Sequence, residues 1–287
     1  MTHLPFTLSA YFFNALAVLS NKFLLNKAIP DPLVYIFYIS MISLLAILAI
    51  PFVKIPTLWI FVLASLSTLL WTLGAYFMFK ALKSGQVSRV IPVIGTLIPL
   101  TLLVFASQTN AISITQAWAI LILILGMILL NLSELSLSSL FQKEILWEVL
   151  SAVCFAFSYI LLRQAYLNSN FFTVLAWSRL ILLPMGLILL SIPNIRRKII
   201  TPQGPKINFR SLTGLVFIGG MVSGAISELL ILFSISLANP ALVNSLQGSQ
   251  YVFLLVLAGE KYAFKILLSK IAGVATIGIG LYILAFS

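Results

Sequence analysis

Hydrophobic and polar positions along this chain do not alternate as in a half-buried strand, nor do they leave one apolar stripe per helix. They come in blocks. Runs of roughly twenty residues are apolar on every side, with short clusters of Pro, Gly, Asn, Ser and Lys between them. A helix that is apolar all round faces lipid or protein rather than water, and roughly 20 residues at about 1.5 Å each cross about 30 Å of hydrocarbon. The pattern predicts ten membrane-spanning helices, at about 5–25, 32–53, 57–82, 87–106, 113–132, 145–166, 171–192, 211–237, 240–258 and 265–286. Pro30-Asp31-Pro32, Pro51, Pro56, Lys83-Ser84-Gly85 and Asn239-Pro240 punctuate them, Pro240 being suited to a first helical turn. The stretch 193–210 is the longest polar loop, and the weakest breaks fall at 107–112 and 167–170.

Composition agrees with the pattern. With 61% hydrophobic residues and 8% charged ones, 287 residues carry more apolar surface than a water-soluble domain buries. The net charge of +11 sits mostly in short links between blocks, the arrangement of topology signals and anionic-lipid contacts, with no Arg/Lys groove interleaved with aromatics for nucleic acid. Ten spans put both termini on one side. The other side then collects fourteen basic residues, Lys22 and Arg196 to Lys198 among them, against Lys54 and Arg163 on the terminal side, with Arg179 inside a span. The positive-inside rule therefore predicts non-cytoplasmic termini, in a bacterial inner (plasma) membrane.

Metal and disulfide chemistry find little material. Cys154 is the single cysteine and His3 the single histidine, a solvated end residue by its position. No cofactor or metal is expected. The N-terminus lacks a basic n-region, and its first apolar run is longer than that of a cleaved signal.

The ten spans divide into five plus five, residues 1–135 and 136–287. FKALKSGQVSRVIPVIG (79–95) lies over FSISLANPALVNSLQGS (233–249) without a gap, and in step with it Gly126 falls on Gly280. An odd number of spans per half means the halves enter the membrane from opposite sides, as inverted repeats. The fold class expected is thus all-α: a polytopic membrane protein of ten transmembrane helices in two inverted five-helix repeats.

Residues 74–108 and 227–260 resemble the two EamA-type repeats of the drug/metabolite transporter superfamily. The marks are an aromatic-rich helix ending in "KAL.SG", a short link, an "SRV.P" start and a closing "GE" before a glycine-bearing last helix. Two positions depart from that pattern: Gln108 stands where it often has the glutamate seen at Glu260, and Glu228 where it is usually apolar or aromatic. The resemblance implies a carrier of amino acids or related metabolites, most commonly an exporter, with exchange or uptake also known.

Polar residues inside the blocks are the candidate chemistry. Glu228 has no other charge within ten residues on either side and lies about 14 Å from the nearer end of its span. Such a carboxylate needs a partner, a proton or a water-filled cavity. Arg179, about 12 Å deep in the antiparallel neighbouring span, offers a partner at matching depth. The two are either a structural ion pair or the poles of a site for a zwitterion, and Glu228 is a candidate proton carrier. Asn244, Gln247 and Tyr251 share one face of the ninth span, with Gln250 beside them, as interhelical glue or cavity lining. Asn14 is alone in the first span and reads as interhelical glue before a binding residue, and Trp71 and Tyr159 lie mid-span, where packing competes with stacking on a substrate. Glu148, Arg89, Glu260, Lys261 and Lys265 lie near span ends, where snorkelling or capping accounts for them. Pro92, Gly95 and Pro99 are placed to bend the fourth span.

The expected function is secondary active transport of a small metabolite by alternating access. The partners expected are that substrate, the lipid bilayer and protons as coupling ion, with no nucleic acid, in a monomer or homodimer. A channel or membrane scaffold is the alternative. Six acidic residues and one terminal histidine are a poor inventory for an enzyme, and no Walker motif accompanies the spans.

Overall fold

Proline and polar caps cut the apolar sequence into helices. A computed structural model describes residues 2–27, 29, 31–85, 87–105, 112–131, 143–201, 211–258 and 264–286, and among them every regular element is helical. The elements are α1 (Leu4–Lys27), α2 (Pro32–Ser43), α3 (Leu58–Ser84), α4 (Val87–Phe105), α5 (Ile114–Asn131), α6 (Lys143–Asn168), α7 (Phe171–Ser178), α8 (Leu182–Ser191), α9 (Pro193–Ile200), α10 (Leu212–Leu237), α11 (Pro240–Ser245), α12 (Gly248–Ala258) and α13 (Phe264–Ala285). Side chains of Asp31, Thr57, Asn170, Ser211 and Asn239 accept hydrogen bonds from first-turn backbone N–H groups of α2, α3, α7, α10 and α11. Each cap satisfies a donor that lipid would leave unpaired.

Among the described residues, seven helical segments are long and apolar enough to cross a membrane, and α4 and α5 add two shorter apolar helices, so the chain is an integral membrane protein. Three of the expected spans are not continuous α-helices. The second tightens from α2 into a 3₁₀ segment over Leu44–Phe52, and the seventh is interrupted by a 3₁₀ turn, Arg179–Ile181, between α7 and α8. The ninth is broken at Leu246–Gln247, where successive backbone bonds run to the third residue back. α4 continues through Pro92 and Pro99. The expected loop at 193–210 begins instead as helix α9, started by Pro193 and turning Ile199 inward.

Three helix pairs make the most extensive contacts: α3 with α6, α1 with α10, and α5 with α13. α4 also packs on α6, and α12 on α1. Polar side chains secure the helix ends. Lys22 Nζ donates to the carbonyls of Leu82 and Gly85 at the end of α3, and Arg163 Nη1 to those of Ile235 and Ser236 at the end of α10. Phe6, Phe233, Phe171 and Tyr166 form a continuous aromatic cluster at one end of the bundle, with centroids 5.0 to 5.8 Å apart.

Two end residues differ from expectation. His3 is buried, as the first turn folds back and Thr7 donates to its carbonyl. Glu148 is fully buried rather than snorkelling, because α3 covers that turn of α6: the neighbouring Ser151 donates to the Gly74 carbonyl. Gln108, Glu260, Lys261, the side chains of Arg89 and Lys265, and the boundary at 135–136 lie outside the described residues.

Candidate functional site: a charged cavity between the helix pairs

The 3₁₀ turn after α7 presents Arg179, and α10 presents Glu228, at the same depth. Arg179 Nη2 lies 3.7 Å from Glu228 Oε1, an ion pair longer than a hydrogen bond. The two side chains keep 7% and 21% of their accessible surface. Glu228 owes its share to a cavity of about 710 Å³ that it lines, within the range of small-molecule sites. Glu228 Oε1 is buried without a hydrogen-bond donor, with Trp71 and Tyr159 on the same cavity wall.

Asn14, Trp71, Tyr159, Arg179, Glu228, Asn244 and Gln247 all line this cavity, brought together from α1, α3, α6, the Arg179 turn, α10 and the α11–α12 break. Their remaining contacts differ. Asn14 Nδ2 donates to Gln250 Oε1 at 3.2 Å, tying α1 to α12 as interhelical glue while it also lines the cavity. Asn244 donates back to the Pro240 carbonyl at 2.9 Å. Phe155 stacks on Tyr159 and meets Trp71 edge-on, so both aromatics pack and line at once.

Tyr251 is not in the lining. Its hydroxyl donates to the Ile91 carbonyl of α4 at 2.9 Å, close against Gly95. The face shared by Asn244, Gln247 and Tyr251 presumes an unbroken helix, and the tight turn at Leu246–Gln247 ends that register.

Sequence reasoning missed Tyr11, Asn21 and Ser227, which also line the cavity, as does Gln250, named from the sequence beside Asn244 and Gln247. Tyr11 donates to the Val243 carbonyl, and Asn21 accepts from Tyr35 at 2.6 Å. Asn21 was findable: it lies seven residues from Asn14 on one helix face. All three tight segments reach the cavity, through Leu45 and Ala46, Arg179, and Gln247. Short 3₁₀ stretches within helices often mark hinges.

Fold and site thus define an all-helical integral membrane protein enclosing a charged, largely apolar-walled cavity. No protein-family model and no curated protein matches the chain. Chains of known structure do match: one, described only as "Crystal structure of protein", has a TM-score of 0.62 and 14% identity. The match covers 96% of this chain and 94% of that one. At that identity the likeness concerns the fold alone.

Proposed function

We propose that this protein is a secondary active transporter that carries a small metabolite across the membrane by alternating access. One observation carries the reading: two opposite charges, each well inside a separate apolar helical segment, meet on the wall of one cavity. Charges at that depth are costly, and a pathway or binding site is their usual setting.

The reading includes ten spans in two inverted five-helix units, 1–135 and 136–287, of the EamA type within the drug/metabolite transporter superfamily. Counting α7 with α8 and α11 with α12 as single spans, moving each helix five places exchanges the contacts. The first–eighth pair becomes the sixth–third, and the first–ninth becomes the sixth–fourth. Lys22 and Arg163, each five residues from the end of its helix, cap equivalent third helices. A Cβ on Gly126 would meet Ile277 at 2.7 Å, and one on Gly280 would meet Leu123 at 2.7 Å. In the register that lays Phe79 over Phe233, these are the same contact. Exchanging the conformations of two such halves moves access from one side of the membrane to the other.

Arg179 and Glu228 suit the two poles of a zwitterion such as an amino acid, and the apolar and aromatic walls suit its side chain. The chemistry asks for binding and movement rather than bond-making, so the protein acts as a carrier and not an enzyme. The basic face is placed in the cytoplasm, with both termini outside.

The test is thermal unfolding of the purified protein against a panel of amino acids, nucleosides, sugars and amines. A ligand at about 100 times its Kd stabilises by about 2.7 kcal/mol. At least one compound is expected to raise the Tm, and Glu228→Gln to remove that rise while leaving the unliganded Tm within a few degrees. Counterflow of the same compound in proteoliposomes then separates a carrier from a channel. An unresponsive panel, or ligand binding indifferent to Glu228→Gln, defeats this assignment of the site.

A further inference from the structure

Next to the Arg179–Glu228 pair lies a second void of about 10 Å³, which shares Trp71, Arg179 and Glu228 with the main cavity. Ser67, Ser158, Tyr166, Ser178, Arg179 and Glu228 are on its wall. It is about the smallest void that holds one water molecule. Two atoms around it are buried without a hydrogen-bond partner: the Tyr166 hydroxyl, on a residue 7% exposed, and Glu228 Oε1. Buried polar atoms are rarely left so, and an internal water is the usual partner.

The hydrogen-bond inventory says what fits. Ser67 and Ser158 spend their protons on each other's backbone carbonyls, and Ser178 on that of Leu175. These oxygens can only accept, whereas the Tyr166 hydroxyl has a proton to give. A water here donates to Glu228 Oε1 and to a serine oxygen, and accepts from Tyr166. A metal cation would face Arg179 and an anion would face Glu228, so a neutral molecule suits the site best.

The position adds a direction. Tyr166 stands two residues before the end of α6, and its ring stacks on Phe171 within the aromatic cluster at that end. Its ring belongs to the cluster and its hydroxyl to the void.

We propose that this void holds an ordered water that loads Glu228 with protons from the end of the bundle marked by Phe6, Phe171 and Phe233. A proton from bulk water reaches the ordered water, which passes another of its protons to Oε1. The carboxylate becomes a neutral acid, Arg179 loses its counter-charge, and the ordered water is regenerated. The titratable and charged groups around Glu228 are Arg179 from the seventh span and Tyr159 and Tyr166 from α6, with Tyr11 of α1 beyond Tyr159. Asn244 and Gln247, from the α11–α12 side, are amides without charge. The inference rests on the carrier reading for its use, since it names the coupling ion and its route, but not for the existence of the site.

The experiment needs no substrate. Infrared difference spectra of the protein in lipid nanodiscs, taken across pH and after transfer to heavy water, report the carbonyl stretch of a protonated carboxyl. The wild type is expected to show a band that grows as pH falls and is missing in Glu228→Gln. Tyr166→Phe keeps the stacked ring and is expected to fold. Its band should shift in frequency, with hydrogen–deuterium exchange slower by about fivefold, the scale of one lost hydrogen bond between neutral groups. Ser178→Ala, on the same wall, serves as a second variant and should shift the band in the same sense. A wild type with no such band at any pH that leaves it folded overturns the proposal. So does a band whose frequency and exchange are unchanged in both variants. The outcomes are separable: an intact, Tyr166-sensitive band without any ligand response defeats the carrier and keeps the proton port, and a ligand response with an insensitive band does the reverse.

Discussion

The α3–α6 and α1–α10 pairs flank the same cavity and are held together by different means. α3 and α6 are stitched: Ser67 and Ser158 each donate to the other's carbonyl, at 2.9 and 2.8 Å, and Ser151 donates to the carbonyl of Gly74 at 2.9 Å. Toward the cavity this pair shows Trp71, Phe155 and Tyr159. Between α1 and α10 the fit is steric, with Gly220 against Ser20 and Gly224 against Ala17, and this pair gives the cavity Asn14 and Glu228. Hydrogen bonds between membrane helices fix register because the alternative is an unpaired polar group in hydrocarbon, whereas small-residue contacts fix only distance. One wall is therefore braced and aromatic, and the other is smooth and carries the charge.

The largest test of that contrast is charge reversal at the smooth wall's acid, Glu228, and at its partner Arg179 on the turn after α7. Arg179→Glu sets two acids together and Glu228→Arg two cations, and each single variant is expected to lose most of its folded yield in detergent. The double variant should recover a good part of it, with a coupling of about 0.5–3 kcal/mol from a double-mutant cycle on thermal unfolding. Strictly additive losses would show that the two side chains do not interact. The next effect is steric. A Cβ at Gly220 would stand 2.6 Å from Ser20 Cβ, while one at Gly74 finds its nearest atoms at 3.2 Å. Gly220→Ala is expected to cost about 1–3 kcal/mol as overpacking, and Gly74→Ala clearly less; equal shifts in Tm would remove the distinction between the walls.

The smallest effect lies on α9, the short basic helix that follows α8. α9 packs on α2 and α8, Lys198 reaches Asp31 Oδ2 at 3.0 Å, and Tyr38 donates to the Ile199 carbonyl at 2.8 Å. Burial pushes the Asp31 carboxyl up, but the Lys198 hydrogen bond and charge and the N–H groups of Leu33 and Val34 outweigh it and hold it below the usual carboxylate range. A depressed carboxyl stabilises above its unfolded value and loses that contribution as pH falls through its folded value. The α9 tether should therefore persist in mild acid and loosen only below the ordinary carboxylate range. With both side chains partly exposed, Asp31→Asn is expected to cost about 0.2–1 kcal/mol, read as faster amide exchange confined to α9. Exchange on α9 that is unchanged in the variant would show the pair to be idle.

The helices were legible wherever a cap or proline met an apolar run, as at Asn239-Pro240 and at Thr57, because lipid leaves a chain few other ways to satisfy its backbone. The shared depth of Arg179 and Glu228 followed from counting residues inward from span ends. What escaped was local geometry without a compositional mark. Leu44–Phe52 is as apolar as any helix around it, so its tightening to 3₁₀ leaves no trace in the pattern. α9 turns Ile199 inward on a single basic helix of eight residues, too short a repeat to stand out from a loop. Glu148 was misread because depth along a helix says nothing about which neighbour covers it, and Tyr251 because one broken turn redirects every side chain after it.

The separation of Arg179 and Glu228 onto successive spans also bears on how the chain is made. The segment bearing the cation leaves the ribosome first, and a lone arginine at the centre of a helix costs about 2.5–3.5 kcal/mol on insertion scales. Until α10 arrives, that segment gains by lingering beside the insertion machinery rather than drifting into lipid. Release of the two as a unit follows from the order of synthesis, with the acid acting as the arginine's escort.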